Sequence, residues 1–289
     1  ALFTGVGGNC QTTNRGDPIL QYDRLADRWI LSQFAFSVSG GSPVAPYFQC
    51  IAVSTTNNPM GTYSRYTVSF GATSPNGFND YGKLGIWNDA YYTAYNIFGG
   101  SPAGSNTGVA LCASDRTKML AADPTATTLC APTAVYGGGA SFLPADLDGP
   151  TPPTDTTRGG VFLRYSTTNN LRMLRLKPDF TAGTVTLTNG YGGAAGVVIN
   201  FPTGPLTFPC NGTGGTCVAQ PGTANTLDTL GSRLMYRLAY RNRGGVDSLL
   251  VNISTDPDGA GARSSAVRWF EIRNPLNEPA DPNVSLRPF

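Results

Sequence analysis

Four aspartates stand where this sequence is best equipped to do chemistry: Asp17, Asp80, Asp146 and Asp228 each open a short apolar run. If those runs are the innermost strands of repeated units, the four carboxylates converge on one mouth of a central channel. Converging carboxylates can bind Ca²⁺, which takes hard oxygen ligands, or can divide into a proton donor and a base. The alternative is structural, each Asp capping its own turn or pairing with Arg across a sheet. Of the arginines, Arg233 is the one the spacing puts nearest this mouth. Asp146 and Asp148, in the run Asp146-Leu-Asp-Gly149, are the candidate Ca²⁺ pair, and Asp256-Pro-Asp-Gly259 shares the pattern. Neither continues into the further acidic ligands of a complete calcium loop, so a turn explains both equally well.

The chain has no histidine, which excludes Ser-His-Asp and Cys-His mechanisms and imidazole zinc sites. Its only glutamates are Glu271 and Glu278, in a candidate outer strand and a Pro-rich tail. A carboxylate pair acting on a glycosidic bond would therefore need an Asp as its acid. Other motifs read as coincidence. Arg15-Gly-Asp17 belongs to the repeat, and Gly190-Tyr-Gly-Gly-Ala-Ala195 is followed by a strand pattern where a dinucleotide site needs a helix. The sequons at Asn211, Asn252 and Asn283 matter only in a glycosylating host. Tyrosines are dense at Tyr47, Tyr63, Tyr66, Tyr91, Tyr92 and Tyr95; sugar faces stack on such rings, with Tyr91 the ligand candidate, and inter-sheet packing is the alternative.

The elements that must position these groups are strands. Runs such as Arg28–Phe36, Phe48–Thr55, Tyr63–Phe70, Ala90–Phe98, Asn170–Lys177 and Val267–Arg273 are short, aromatic or β-branched, and bounded by Gly, Pro, Asn or Asp. The best helical candidate is Ser114–Leu120, with Ser114 as its cap. Arg233, Arg237 and Arg241 stand four apart, a helical spacing, yet their segment matches the other strand openings and ends in an Asn-Arg-Gly-Gly turn. The Asp-strand-turn-strand unit recurs at residues 17, 80, 146 and 228. This predicts an all-β chain, a single propeller domain over 1–289 with four-stranded blades near 17–70, 80–135, 146–190 and 228–274 and extensions at 1–16 and 275–289. A β-sandwich is the rival architecture.

Six cysteines in a chain with 36 Gly and 22 Pro read as three disulfides, in the order Cys10 with Cys50, Cys112 with Cys130 and Cys210 with Cys217, and hence as an oxidising compartment. Charged residues are 13% of the chain and the net charge is +2, without a basic run for nucleic acid. No apolar run is long enough for a membrane span.

At Gly16–Trp29, Gln49–Thr56, Phe78–Trp87, Leu143–Gly149, Arg233–Tyr240 and Arg268–Arg273 the sequence resembles a large, mostly uncharacterised family of exported bacterial β-propeller proteins. The resemblance covers nearly the whole chain. It implies a propeller secreted or held at the cell surface, with a ring that strands outside this chain would complete. The functional expectation is a non-enzymatic binding or surface-interaction module for a glycan or extracellular protein. The alternative is a carbohydrate-active hydrolase or lyase using the channel aspartates.

Overall fold

The computed structural model describes residues 2–71, 77–131, 141–153, 155, 157–167, 169–188, 197–201, 205–212, 215–257, 259, 265–276 and 285–288. After a short helix α1 (Gly8–Thr12), the chain forms a first antiparallel sheet from β1 (Ile19–Asp23), β2 (Arg28–Ser39), β3 (Ser42–Ser54) and β4 (Tyr63–Phe70). Gly40 and Gly41 alone link β2 to β3. Both have positive φ, 57° and 83°, as a two-residue hairpin turn compatible with strand twist requires. The second sheet is β5 (Phe78–Ile86), β6 (Tyr91–Phe98), β7 (Asn106–Ser114) and β8 (Thr128–Ala131), with α2 (Arg116–Leu120) between the last two strands. Asp115, not Ser114, caps α2, accepting the Lys118 N–H at 3.0 Å; Ser114 is still in β7, its hydroxyl 2.8 Å from that of Thr128.

The third sheet comprises β9 (Leu143–Leu147), β10 (Gly160–Thr167), β11 (Asn170–Asp179) and β12 (Thr184–Thr188), and β13 (Val197–Asn200) pairs the first half of β11. A separate hairpin of β14 (Thr216–Ala219) and β15 (Thr226–Asp228) follows. The fourth set of strands, called the fourth sheet below, is β16 (Met235–Arg243), β17 (Val246–Thr255), β18 (Ala266–Arg273) and β19 (Ser285–Pro288), continuous with the third through β9 and β16 as one nine-stranded sheet. The Arg233–Arg241 segment is thus strand from Met235 onward. Alternation puts Arg237 and Arg241 on one face of β16.

The innermost strands β1, β5, β9 and β16 meet at the centre and run in one direction. β9 and β16 pair in parallel, Asp146 opposite Ala239. Asn96, opposite Asp80, bonds Ser141 just before β9, while the Ile86 N–H reaches Asp146 near its end. The approach of β5 to β9 is close enough that a Cβ on Gly85 would sit 2.3 Å from the Ala145 carbonyl oxygen. This is a β-propeller of four-stranded blades, with no role left for the sandwich alternative. Its core lies between blades. One buried cluster joins the second, third and fourth sheets, with Tyr92 against Phe162 at 5.7 Å and Trp87 against Tyr240 at 4.8 Å. Two others join the first sheet to the second, where Phe70 meets Tyr95 at 5.2 Å. Such edge-to-face pairs each add about 0.5–1.5 kcal/mol beyond area burial.

All six cysteines pair as expected. Cys10–Cys50 fastens the N-terminal segment to β3, Cys112–Cys130 joins directly opposed residues of β7 and β8, and Cys210–Cys217 closes a short loop. Three disulfides suit an oxidising compartment. No helix among the described residues is long and apolar enough to cross a membrane.

Candidate active site at the channel entrance

Three chain entries converge where the inner strands begin. Asp17 precedes β1, Asp80 to Lys83 lie in β5, and Arg233 precedes β16. Each entry holds non-glycine residues in left-handed backbone: Asp17 at φ 47°, Tyr81 at 54°, and Leu230 and Ser232 at 46° and 64°. Such conformations cost about 1–3 kcal/mol apiece and cluster at functional sites. In β5 the register shifts between Asp80 and Lys83, where three steps face two on β6. The bulge re-aims the side chains of Tyr81 and Lys83 toward the mouth. Gly82 fits there because the Tyr95 ring lies 3.2 Å from where a Cβ would stand.

The charges at this entrance act on one another. Asp17 and Asp80 both act on Lys83, and Asp17 raises the pKa of half-buried Asp80. Burial is the larger cause of that rise, opposed by the Tyr81 N–H at 2.8 Å and by Lys83. Burial also brings Lys83 down to about 8, opposed by Asp17 and Asp80 and assisted by Arg233. The Lys83 ammonium donates to the carbonyls of Tyr81 (3.2 Å) and Gly82 (3.1 Å) and lies 3.3 Å from the Tyr81 ring centroid. Arg233 lies over the same ring, its guanidinium carbon 5.5 Å from the centroid. The result is two carboxylates and two cations, with one carboxyl biased toward holding its proton.

One turn deeper the strands close on each other. Gln21 Nε2 donates to the Leu84 carbonyl at 3.1 Å and to the Tyr236 hydroxyl, which donates to the same carbonyl at 3.0 Å. Beyond this plug, at the other end of the strands, lie Asp146 and Asp148. Asp146 is 2% exposed; its Oδ1 accepts the Ile86 N–H at 2.9 Å and its Oδ2 pairs with Arg237. Arg237 also grips Asp148, which Arg241 holds from the other side at 2.8 Å. Burial pushes Asp146 up to about 6 against the pull of Ile86 and Arg237. Burial also pushes Asp148 upward, but the hydrogen bonds and charges of Arg237 and Arg241 outweigh it and hold its carboxyl below the usual range.

The expected convergence of four aspartates is therefore corrected. Asp17 and Asp80 share the entrance. Asp146 sits near the C-terminal end of β9, where its carboxylate locks β5 to β16, and Asp228 ends β15 in the separate hairpin, exposed, bonding the Leu230 N–H at 2.8 Å. At the entrance level, Ser141 and Arg233 occupy the places expected of Asp146 and Asp228. Ca²⁺ does not fit Asp146 and Asp148, because two guanidiniums already match the two charges and a backbone N–H occupies another oxygen. No group of three or more His, Cys, Asp or Glu side chains converges among the described residues. Tyr91 is corrected too. It is 0% exposed, and its hydroxyl donates to Asp23 at 2.9 Å. Asp23 also binds Arg116 at 2.7 Å and two N–H groups of its own turn, fastening the first sheet to the second. Glu271 pairs with Arg273 at 3.0 Å. Glu278, the Gly190–Ala195 run and Asp258 of the second Asp-x-Asp-Gly motif lie outside the described residues.

Sequence reasoning missed Lys83, Tyr81, Gln21, Tyr236, Arg237 and Arg241. The i, i+4 arginines of a strand facing the i, i+2 aspartates of another were the available signal for the lock. Nothing in the sequence marks the bulge beyond Gly82.

No family model and no curated protein matches the chain. Among solved structures, a xylan β-1,4-xylosidase from Bacillus halodurans C-125 aligns with 94% of this chain and 42% of its own, at 12% identity and TM-score 0.36. The α-L-arabinofuranosidase CtGH43 from Clostridium thermocellum ATCC 27405 aligns over 88% of this chain and 67% of its own, at 8% identity and TM-score 0.36. The chain thus spans less than half the length of the xylosidase, and likeness at this level transfers no residue.

Proposed function

We propose that this propeller is a carbohydrate-active hydrolase whose entrance site cleaves a glycosidic bond by carboxylate acid/base chemistry. The observation that carries the reading is the meeting of Asp17 and Asp80, from different blades, with Lys83 and Arg233 at three left-handed strand entries. Without histidine, carboxylates are the natural proton carriers, and glycoside hydrolysis needs one carboxyl that keeps its proton beside one that does not. Asp80, raised by burial, protonates the leaving oxygen. Exposed Asp17 serves as the second carboxyl group, which activates water or stabilises positive charge on the sugar ring. Lys83 and Arg233 orient the sugar hydroxyls. Three disulfides favour work outside the cytoplasm, as a secreted or surface protein.

The test is release of reducing ends from a polysaccharide panel by the wild type and by Asp80→Asn. Turnover falling by about 10²–10⁴-fold supports the assignment, as expected when a general acid is lost. Turnover unchanged in Asp80→Asn refutes it. A non-enzymatic module binding a glycan or an extracellular protein is the second reading, favoured by the plug of Gln21, Tyr236 and Leu84 that closes the passage behind the site. Wild type that binds polysaccharide without cleaving any of the panel selects that reading.

A further inference from the structure

Arginines at the two ends of the inner strands differ in their partners. Arg116, Arg237 and Arg241, at the far end, each pair with a carboxylate. Arg233, half-buried at the entrance, makes no ion pair among the described residues, and its guanidinium lies over the Tyr81 ring. Lys83 lies against the same ring, its ammonium on two backbone carbonyls. Arg15 adds another cation at this end. It is exposed two residues before Asp17, and its Nε donates at 2.9 Å to the carbonyl of Phe36, which lies past Ser32, the residue opposite the start of β1. When Asp80 holds its proton as the acid, Arg15, Lys83 and Arg233 face at most one negative charge at the entrance, on Asp17.

From this imbalance we propose that the sugar taken at the entrance is a uronate, its carboxylate received by the Arg233 guanidinium. The inference rests on the entrance being the hydrolase site proposed above, and it adds the substrate class. A planar guanidinium presents parallel N–H groups that match the two oxygens of a carboxylate, and such charge-assisted bonds are roughly twice as strong as neutral ones. A neutral sugar would meet Arg233 with hydroxyls alone, leaving its charge without a counter-ion and Lys83 with the full cost of its burial. Contact with Tyr81 limits the guanidinium's freedom before the ligand arrives, which lowers the ordering cost of binding. A nucleic-acid chain would need a row of cations, and the sequence has no basic run.

The probes are hexamers of galacturonate, mannuronate and guluronate, the methyl esters of the same hexamers, and xylohexaose as a neutral control. Calorimetry uses the intact chain carrying Asp80→Asn, which mimics the protonated acid and slows turnover of the probe. At least one free acid should bind ~10-fold or more tightly than its methyl ester and than xylohexaose, with an affinity that falls as salt is raised. Adding Arg233→Gln should remove that preference while leaving affinity for the ester within ~3-fold. The comparison of acid with ester needs no change at Arg233, so it decides the question even if that variant folds poorly. Equal binding of acid and ester, binding of none of the free acids, or a preference that survives Arg233→Gln overturns the inference. Tighter binding of dextran sulfate than of every uronate also overturns it, since the entrance would then take anions without regard to the carboxylate. Turnover separates this result from the hydrolase reading. A uronate bound through Arg233 and never cleaved by wild type refutes the hydrolase and keeps the ligand class, whereas a neutral polymer cleaved through Asp80, with uronates ignored, does the reverse.

Discussion

The two ends of the inner strands use similar charges for opposite purposes. At the C-terminal end, Asp146 and Asp148 meet Arg237 and Arg241, charges match two for two, and the result is a lock across β5, β9 and β16. At the N-terminal end, Asp17 and Asp80 meet Lys83 and Arg233, again two for two, but on left-handed backbone and a bulge, with Lys83 half-buried and brought down to about 8. A matched, hydrogen-bonded set fixes strands. Asp146 is itself raised but stays gripped by Arg237 and the Ile86 N–H, whereas at the entrance burial raises Asp80 and lowers Lys83, which poises these two to exchange protons, and stability is given up for that.

Breaking the lock gives the largest expected effect. Arg237→Ala leaves Asp146 buried without its cation, which costs about 3 kcal/mol, the low end for a buried pair because Arg237 is itself about one-third exposed. The pH dependence follows from Asp146 at about 6 against an unfolded value near 4. Between those values the folded chain keeps a proton that the unfolded chain has released, so this residue makes stability fall as pH rises from about 4 to about 6. The Arg237→Ala penalty, measured by denaturant titration, should be larger at pH 7.5 than at pH 4.5. Equal penalties would mean the carboxylate is not buried as a charge.

The entrance should respond with the opposite sign. Lys83 at about 8 in the fold, against about 10.4 unfolded, is charged in both states below pH 8, where its burial cost is fully felt. Above pH 8 the folded lysine loses its proton while the unfolded one keeps it, so stability rises with pH by up to about 1.4 kcal/mol per unit. Denaturant titrations from pH 7 to 9.5 should show this rise in wild type and a flatter profile in Lys83→Met. Parallel profiles would remove Lys83 from the site.

These outcomes depend on features of unequal legibility in the sequence. Strands such as Arg28–Ser39 and Tyr91–Phe98 were readable because alternation and turn residues are local signals, and the cysteine pairing followed from order along the chain. The register of the four aspartates was not readable. The inner strand begins two residues after Asp17, two before Asp80, three before Asp146 and seven after Asp228. Only the tertiary fit, with Ser141 bonding Asn96 and Arg233 lying over Tyr81, decides which residues share a level. Of the two readings of Tyr91, inter-sheet packing holds and ligand binding does not; its partners Asp23 and Arg116 are remote in sequence, so only the tertiary fit shows the buried network.

A smaller effect comes from Asp80→Asn. Its carboxyl is raised chiefly by burial, so removing the charge should shift stability slightly and in the stabilising direction at pH 7. Asp146→Asn discards a partner of Arg237 and a buried charge-assisted bond, and should destabilise. Thermal melts of the two variants side by side would contradict the distinction between the ends if both shifted the same way.

The finest discrimination is chemical and needs no substitution. The chain has three lysines, Lys83, Lys118 and Lys177. Half-buried Lys118 holds the Thr125 hydroxyl at 2.9 Å, and Lys177 is exposed near the end of β11. An amine acylates through its neutral form, and near pH 8 about half of Lys83 is neutral. Brief treatment of the native protein with limiting acetic anhydride at pH 8, followed by peptide mass analysis, should label Lys83 ahead of both others, although Lys177 is the more exposed. The preference should disappear in urea, where burial no longer lowers its pKa. Labelling with Lys83 last would show that the carbonyls of Tyr81 and Gly82 hold the ammonium too firmly for proton exchange. The entrance would then be a second lock, and the contrast between the two ends would be lost.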